Sequence, residues 1–290
     1  MEVTRRLREA GFQRTILLDG ASCGQAGGTV LLALWPYEAE RQVPTGEAWI
    51  HPYYDASQRA YRAASTIAKA SNGLWTLRDD IRLKPIFARL PWFAQGRNTL
   101  SYVPGIGSRF HVQVLASEAV LPPDVKLADA PHPLQCGTCR KCMEACPNGA
   151  IDEQGYHRER CLRNWMLSGR PIPEAMRRMG NRLVGCDDCQ RCCPHNPPPT
   201  GEARATVPLA RLLAEHKTVC AELREVIGAN LALPNRVLGQ ACLLAGCSGR
   251  QELLPLLVPL QTHPSPVVAE HAAWAVAMLQ AGLVPDTGEE

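Results

Sequence analysis

Residues 136–151 read Cys136-Gly-Thr-Cys139-Arg-Lys-Cys142-Met-Glu-Ala-Cys146-Pro147-Asn-Gly-Ala-Ile151. Residues 180–194 read Gly180-Asn-Arg-Leu-Val-Gly185-Cys186-Asp-Asp-Cys189-Gln-Arg-Cys192-Cys193-Pro194, and Cys161 stands alone between the two stretches. Three cysteines, each separated by two residues, set three thiolates around one short loop, where they can take three irons of a [4Fe–4S] cube. The fourth lies too far along to share that loop, and the proline after it turns the chain away; in two-cluster proteins of this kind the fourth cysteine ligates the other cluster. Two cubes need eight thiolates, and the region offers nine. The spacing assigns Cys136, Cys139, Cys142 and Cys193 to one cluster, and Cys146, Cys161, Cys186 and Cys189 to the other. Cys193 is preferred over Cys192 because a proline follows it, as one follows Cys146.

A zinc site would use two Cys-x2-Cys pairs as one set of four ligands and leave Cys142, Cys146 and Cys193 without a role. A disulfide framework is disfavoured because the first residues, Met1-Glu2-Val3-Thr4-Arg5-Arg6, lead into a mixed-charge helix and not a signal segment. Cys23, Cys220, Cys242 and Cys247 sit in small or apolar surroundings and read as buried structural thiols. No apolar run approaches the roughly 18 residues of a membrane span, so the expectation is a cytoplasmic chain with no membrane partner.

With 290 residues there is room for about two domains, and 46% hydrophobic residues suffice for a substantial core. The net charge of +3 does not announce nucleic-acid binding. By segment, residues 136–204 carry eleven Lys/Arg, ten of them Arg, against eight acids, and residues 205–290 carry five against eight. A polyanion would meet the arginines of the cysteine region, although a solvated arginine surface is the plainer reading.

The spacing predicts a short helix over 2–10 and buried strands at 15–18 and 29–34, with Asp19-Gly20 and Gly27-Gly28 as turns. An irregular loop is expected over 36–52, helices over 57–70 and 80–88, and a strand over 110–120. Mixed elements over some 120 residues indicate an α/β layer domain ending near 125. Segment 126–205 then holds the cysteines and one helix around Leu162, Trp165, Met166 and Leu167. Segment 206–290 reads as helical throughout, with Ala241, Leu244 and Ala245 recurring as Ala273, Val276 and Ala277, a pattern that resembles HEAT-type helix pairs.

Together these motifs resemble the epoxyqueuosine reductase family, cobalamin-dependent enzymes of tRNA queuosine biosynthesis. The second cysteine stretch carries most of the resemblance, because generic ferredoxins lack its Gly-Asn-Arg…Gly-Cys-Asp-x-Cys-Gln pattern. Weaker matches are Gly96-Arg97-Asn98-Thr99, Gly107-Ser108, Leu121-Pro-Pro-Asp124 and Ala272-Ala-Trp-Ala275. The resemblance implies an α+β multidomain chain: a nitroreductase-like α/β domain over 1–125, a bacterial-type two-cluster ferredoxin domain over 126–205, and HEAT-like helices over 206–290. It implies two [4Fe–4S] clusters and a cobalamin, held in part by Gly96, Arg97, Asn98, Gly107 and Ser108. A tRNA substrate, a flavodoxin or ferredoxin as external electron donor, and a monomer are implied with them. The family is longer at its N-terminus, which implies that part of the corrinoid or substrate pocket is missing here. Its catalytic acid aligns without gaps on Leu77, or on Arg82 if Pro85-Ile-Phe-Ala-Arg89 sets the register. Asp79 and Asp80 are therefore the candidate acids, and Asp80 reads equally well as a helix-start carboxylate. Tyr54 falls where the family has a pocket tyrosine; a packed aromatic is the plainer reading. His51, His111 and His157 read as ordinary histidines. The other readings are a related reductase with a different substrate, and a two-cluster electron carrier serving a partner protein.

Overall fold

The computed structural model describes residues 2–39, 46–177, 179–199 and 205–284. The chain divides into two compact units that are interleaved in sequence: residues 1–39, 55–142 and 190–198 form the first, and 40–54, 143–189 and 199–290 the second. That division differs from three consecutive segments, because each unit recruits a piece of the cysteine region.

In the first unit, β1 (Arg14–Asp19), β2 (Thr29–Pro36), β4 (Thr76–Leu77) and β7 (Phe110–Ser117) form a sheet of order β1-β2-β7-β4, with every pair antiparallel. The apolar runs of β1 and β2 bury both faces. Ile16, Leu18, Val30, Leu32 and Val114 point to one side, where they meet Ile86, Phe87 and Leu90 from and just beyond α3 (Leu83–Phe87). Leu17, Leu31, Ala33 and Leu115 point to the other, against Leu7 of α1 (Glu2–Glu9) and Ala60 and Ala64 of α2 (Pro52–Lys69). The period of two along a strand produces this split. The alanine stripe of α2 lets its backbone approach the sheet closely. At the sheet's end, a Cβ on Gly28 would fall 2.2 Å from the Ser117 carbonyl oxygen, and φ there is +76°, so only glycine fits this turn.

The predicted strands and first helix are present. Two expectations on 36–52 and 57–70 are corrected: the described part of that loop contains a strand, β3 (Glu47–Ile50), and α2 starts at Pro52 and not near Ser57. A proline is well suited to the first helical position, where its missing N–H is no loss. The helix expected over 80–88 is shorter, because Asp80 lies in a bend and Pro85 falls in the first turn.

In the second unit, β3 pairs in parallel with β10 (Arg182–Val184) and antiparallel with β11 (Thr206–Pro208). The tail is therefore not helical from its start. Helices α7 (Leu209–Ala214), α8 (His216–Ile227), α9 (Pro234–Ser248), α10 (Leu254–Leu257) and α11 (Pro266–Gln280) follow. Every residue of α9 from Val237 to Cys247 is buried, so it is the central helix and not one of two equivalent copies. Ala273 and Ala277, the proposed repeats of buried Ala241 and Ala245, are exposed on α11. The face that α11 buries is Val268, Ala272, Ala275, Val276 and Leu279. The core of this unit also takes Leu162 and Met166 from α5 (Leu162–Ser168), together with Ile172, Met179 and Leu183. No helix among the described residues is long and apolar enough to cross a membrane.

His271 locks α11 into this core. It is 1% exposed; its Nε2 accepts from the Ile172 N–H at 2.9 Å, and its Nδ1 faces the Gly239 carbonyl at 3.0 Å. Those partners require a neutral ring protonated on Nδ1, and burial holds its pKa down to about 4. In the unfolded chain the ring takes a proton near pH 6.5. The stabilisation is thus complete above that value and is lost as pH falls toward 4, by roughly 3 kcal/mol. Denaturant midpoints measured from pH 7 to 4.5 are expected to fall more steeply for this protein than for His271→Gln. His111, also held at about 4 by burial, is present in both chains. Parallel profiles would show that His271 does not carry the effect.

Candidate metal centre

The cysteines fall into two sets. In the first unit, burial pushes the Cys142 thiol up, and the sulfurs of Cys136, Cys193 and Cys139 push it further. Cys193 is likewise raised by burial first and then by Cys136 and Cys139. Four thiols from two distant stretches thus share one small region, and they are the four assigned to one cluster from their spacing. Metal deprotonates such thiols outright, so their reluctance to ionise in its absence is compatible with ligation.

A hairpin supports this set. Strands β5 (Ala94–Gln95) and β6 (Ser101–Tyr102) flank the turn that contains Gly96, Arg97 and Asn98. The Arg97 N–H donates to Cys136 Sγ at 3.3 Å, and its guanidinium donates to the Gly137 carbonyl at 3.0 Å. Asn98 is buried, and its Oδ1 accepts from the Leu100 N–H at 3.2 Å. Amide-to-sulfur hydrogen bonds of the Arg97 kind are among the groups that set cluster potentials.

Gly107 and Ser108 grip the second cysteine stretch. Asn196 Oδ1 accepts from the Ser108 N–H at 2.6 Å and from its hydroxyl at 3.1 Å, and Asn196 Nδ2 donates to the Gln190 carbonyl at 2.6 Å. Gln190 Nε2 donates to the Ser108 carbonyl and hydroxyl oxygens at 2.9 and 3.0 Å, and Gln190 Oε1 accepts from the Tyr37 hydroxyl at 3.1 Å. A Cβ at Gly107 would lie 2.1 Å from Asn196 Oδ1. This closed polar network fixes the segment that carries Cys193. Asn196 and Tyr37 belong to it, and no spacing in the sequence marks either.

In the second unit, the short strands β8 (Ile151–Asp152) and β9 (Gly155–Tyr156) form a hairpin between Cys146 and Cys161. Burial and the Cys161 and Cys189 sulfurs raise the Tyr156 hydroxyl, which hydrogen-bonds with Cys161. The Ala150 N–H donates to Cys146 Sγ at 3.3 Å. Two one-turn helices, α4 (Lys141–Glu144) and α6 (Asp188–Arg191), carry Cys142 and Cys189. Cys186 is raised by burial and by Asp188, whose carboxylate is paired with buried Arg182 at 2.7 Å.

Of the candidate catalytic residues, Asp79 and Asp80 belong to the first unit and Tyr54 to the second. Asp79 and Asp80 are exposed. Asp80 is paired with Arg78 at 2.6 Å, which holds its carboxyl below the usual range. Tyr54, of the second unit, is 4% exposed, packs edge-on against His51 and Tyr53, and hydrogen-bonds with Arg163. His157 pairs with Asp152 at 2.8 Å.

Residues 135–196 match the family described as a 4Fe-4S double cluster binding domain. That match supports two [4Fe–4S] clusters in this stretch. Epoxyqueuosine reductase of Xanthomonas campestris pv. campestris is 32% identical over 209 residues, covering 66% of this chain and 55% of that protein. The enzyme of the same name from Aliivibrio fischeri is 38% identical over 112 residues, 38% of this chain and 28% of its own length. That of Bacillus anthracis is 34% identical over 103 residues, 35% and 26%. The chain thus spans between 26% and 55% of these curated relatives. The solved epoxyqueuosine reductase of Bacillus subtilis superposes with a TM-score of 0.77 at 18% identity, covering 96% of this chain and 89% of that one. An epoxyqueuosine reductase structure with a modified tRNA stem loop gives 0.74 at 20% identity, with the same coverages. This chain is a relative of the epoxyqueuosine reductases, the family that its motifs resemble, and it has their fold.

Proposed function

We propose that this protein is an oxidoreductase of the epoxyqueuosine reductase type. It would accept electrons from an external donor such as a flavodoxin or ferredoxin and act on an epoxyqueuosine-bearing tRNA. One observation carries the reading: Cys193 meets Cys136, Cys139 and Cys142, while Cys146 lies in the other unit with Cys161, Cys186 and Cys189. That exchange of fourth ligands is the arrangement of a two-cluster electron path. Cys136, Cys139, Cys142 and Cys193 would hold one cluster, and Cys146, Cys161, Cys186 and Cys189 the other. The clusters supply single electrons when bound. Segment 1–125 would bind substrate and corrinoid through a nitroreductase-like layer, 126–205 the clusters, and 206–290 would serve as a HEAT-like support.

The corrinoid rests on the resemblance. Of the side chains expected to hold it, those of Asn98 and Ser108 are buried and engaged with protein partners. Arg97 and Gly107 are likewise turned to the cysteine stretches. These side chains are thus committed to the surroundings of the first cluster.

Opening an epoxide requires a proton at the oxygen, and a positioned acid is worth roughly 10²–10⁴ in rate. Such an acid needs burial to raise its pKa; exposed Asp80, held low by Arg78, has the opposite environment. Asp80→Asn is expected to keep turnover on epoxyqueuosine-bearing tRNA within about threefold, against the far larger loss due to removal of an acid. Asp79→Asn, assayed beside it, decides whether this stretch supplies the proton. The reading itself falls if the parent protein, replete in iron and supplied with cobalamin and a strong reductant, leaves that tRNA unchanged.

A further inference from the structure

Tyr102 closes the β5–β6 hairpin with its ring stacked on the His195 imidazole, 4.4 Å between centroids and 12° between planes. The side chain is 7% exposed. Its hydroxyl oxygen is buried and has no hydrogen-bond partner among the described residues. The sulfurs within its electrostatic reach are those of Cys136 and Cys193. A buried tyrosine hydroxyl usually finds a partner, and leaving it without one is costly. The same hairpin directs the Arg97 N–H to Cys136 Sγ. One short element therefore directs an N–H to Cys136 and places an O–H within electrostatic reach of Cys136 and Cys193, and that O–H has no partner among the described residues.

We infer that the Tyr102 hydroxyl donates a hydrogen bond to a sulfur of the cluster held at Cys136 and Cys193, and raises that cluster's reduction potential. This rests on the proposed ligation by Cys136, Cys139, Cys142 and Cys193. Reduction adds negative charge to the cluster, and a donor aimed at sulfur stabilises the reduced form more than the oxidised one. Stacking on His195 holds the ring so that the hydroxyl cannot turn to water.

Tyr102→Phe keeps the ring and its stacking and removes only the oxygen. EPR-monitored redox titration of the iron-replete protein is expected to show one of two [4Fe–4S] signals titrating lower by about 59 mV, a tenfold change for a one-electron couple. The other signal is expected to stay in place. Unchanged potentials for both, with the iron content intact, would overturn the inference. If the phenylalanine variant loses a cluster, 3-fluorotyrosine at position 102 decides the matter. Its more acidic hydroxyl is a stronger donor and should move the same signal upward; an unmoved or lowered signal overturns the inference. A parent protein with a single cluster signal, or a Cys136→Ser variant that keeps both, would instead remove the ligation reading and this inference with it.

Discussion

Cys193→Ser is expected to lose about half of the roughly eight irons of two cubes, while Cys192→Ser keeps them all. The two thiols are neighbours in sequence and indistinguishable by composition, so the contrast isolates geometry. Cys193 is the one whose sulfur is influenced by Cys136 and Cys139, and which in turn influences Cys142. It is followed by the Pro194–Asn196 turn, where Asn196 is bound to Ser108 and Gln190. Removing its sulfur takes one corner from a four-point cage, and the remaining three thiols would face an iron open to solvent and oxidation. Iron and acid-labile sulfide per chain, measured on anaerobically purified protein, decide between the two. Half the iron lost from Cys192→Ser with Cys193→Ser intact would reverse the assignment.

Deletion of residues 236–290 is expected to give insoluble protein. Helices α9 and α11 contribute Val237, Leu238, Leu243, Leu244, Val268, Val276 and Leu279 to a core that also contains Leu162, Met166, Ile172 and Leu183. Each such side chain contributes about 1.5–3 kcal/mol by burial, so the loss of the seven is of the same size as, or larger than, the roughly 5–15 kcal/mol that holds a domain folded. The Ile172 N–H and the Met166 carbonyl would also lose His271 and Gln240, their buried partners. A soluble truncated chain with full iron, assayed by gel filtration and iron content, would show that the helices are an appendage.

The grouping of Cys193 with Cys136, Cys139 and Cys142 was legible because ligation chemistry imposes spacing on sequence and a short loop reaches only so far. The strands of the four-stranded sheet were legible too, since Thr15–Leu18 and Thr29–Leu34 are apolar on both faces. The three-stranded sheet was not. Its strands span only three or four residues each and pair across long stretches of chain, so no local pattern marks them. The misread repeat has a related cause. Alanines at helical spacing occur on α9, where every side is covered, and on α11, where Ala273 and Ala277 face outward. Composition does not record which side a neighbour covers. Asn196 gave no signal at all, because its amide binds groups placed by distant parts of the chain.

The pairing of β3 with β10 and β11 also constrains the order of events during synthesis. Residues 47–50 leave the ribosome early, but their partners at 182–184 and 206–208 follow only after more than half of the chain has been made. At ordinary translation rates of 5–20 residues per second that wait is on the order of ten seconds. Through that interval Trp49 and Ile50, both nearly fully buried in the finished protein, are an unpaired apolar edge, and the thiols at 136–142 stand without Cys193. The nascent chain thus passes through an interval in which an apolar edge and an incomplete set of thiols are exposed together.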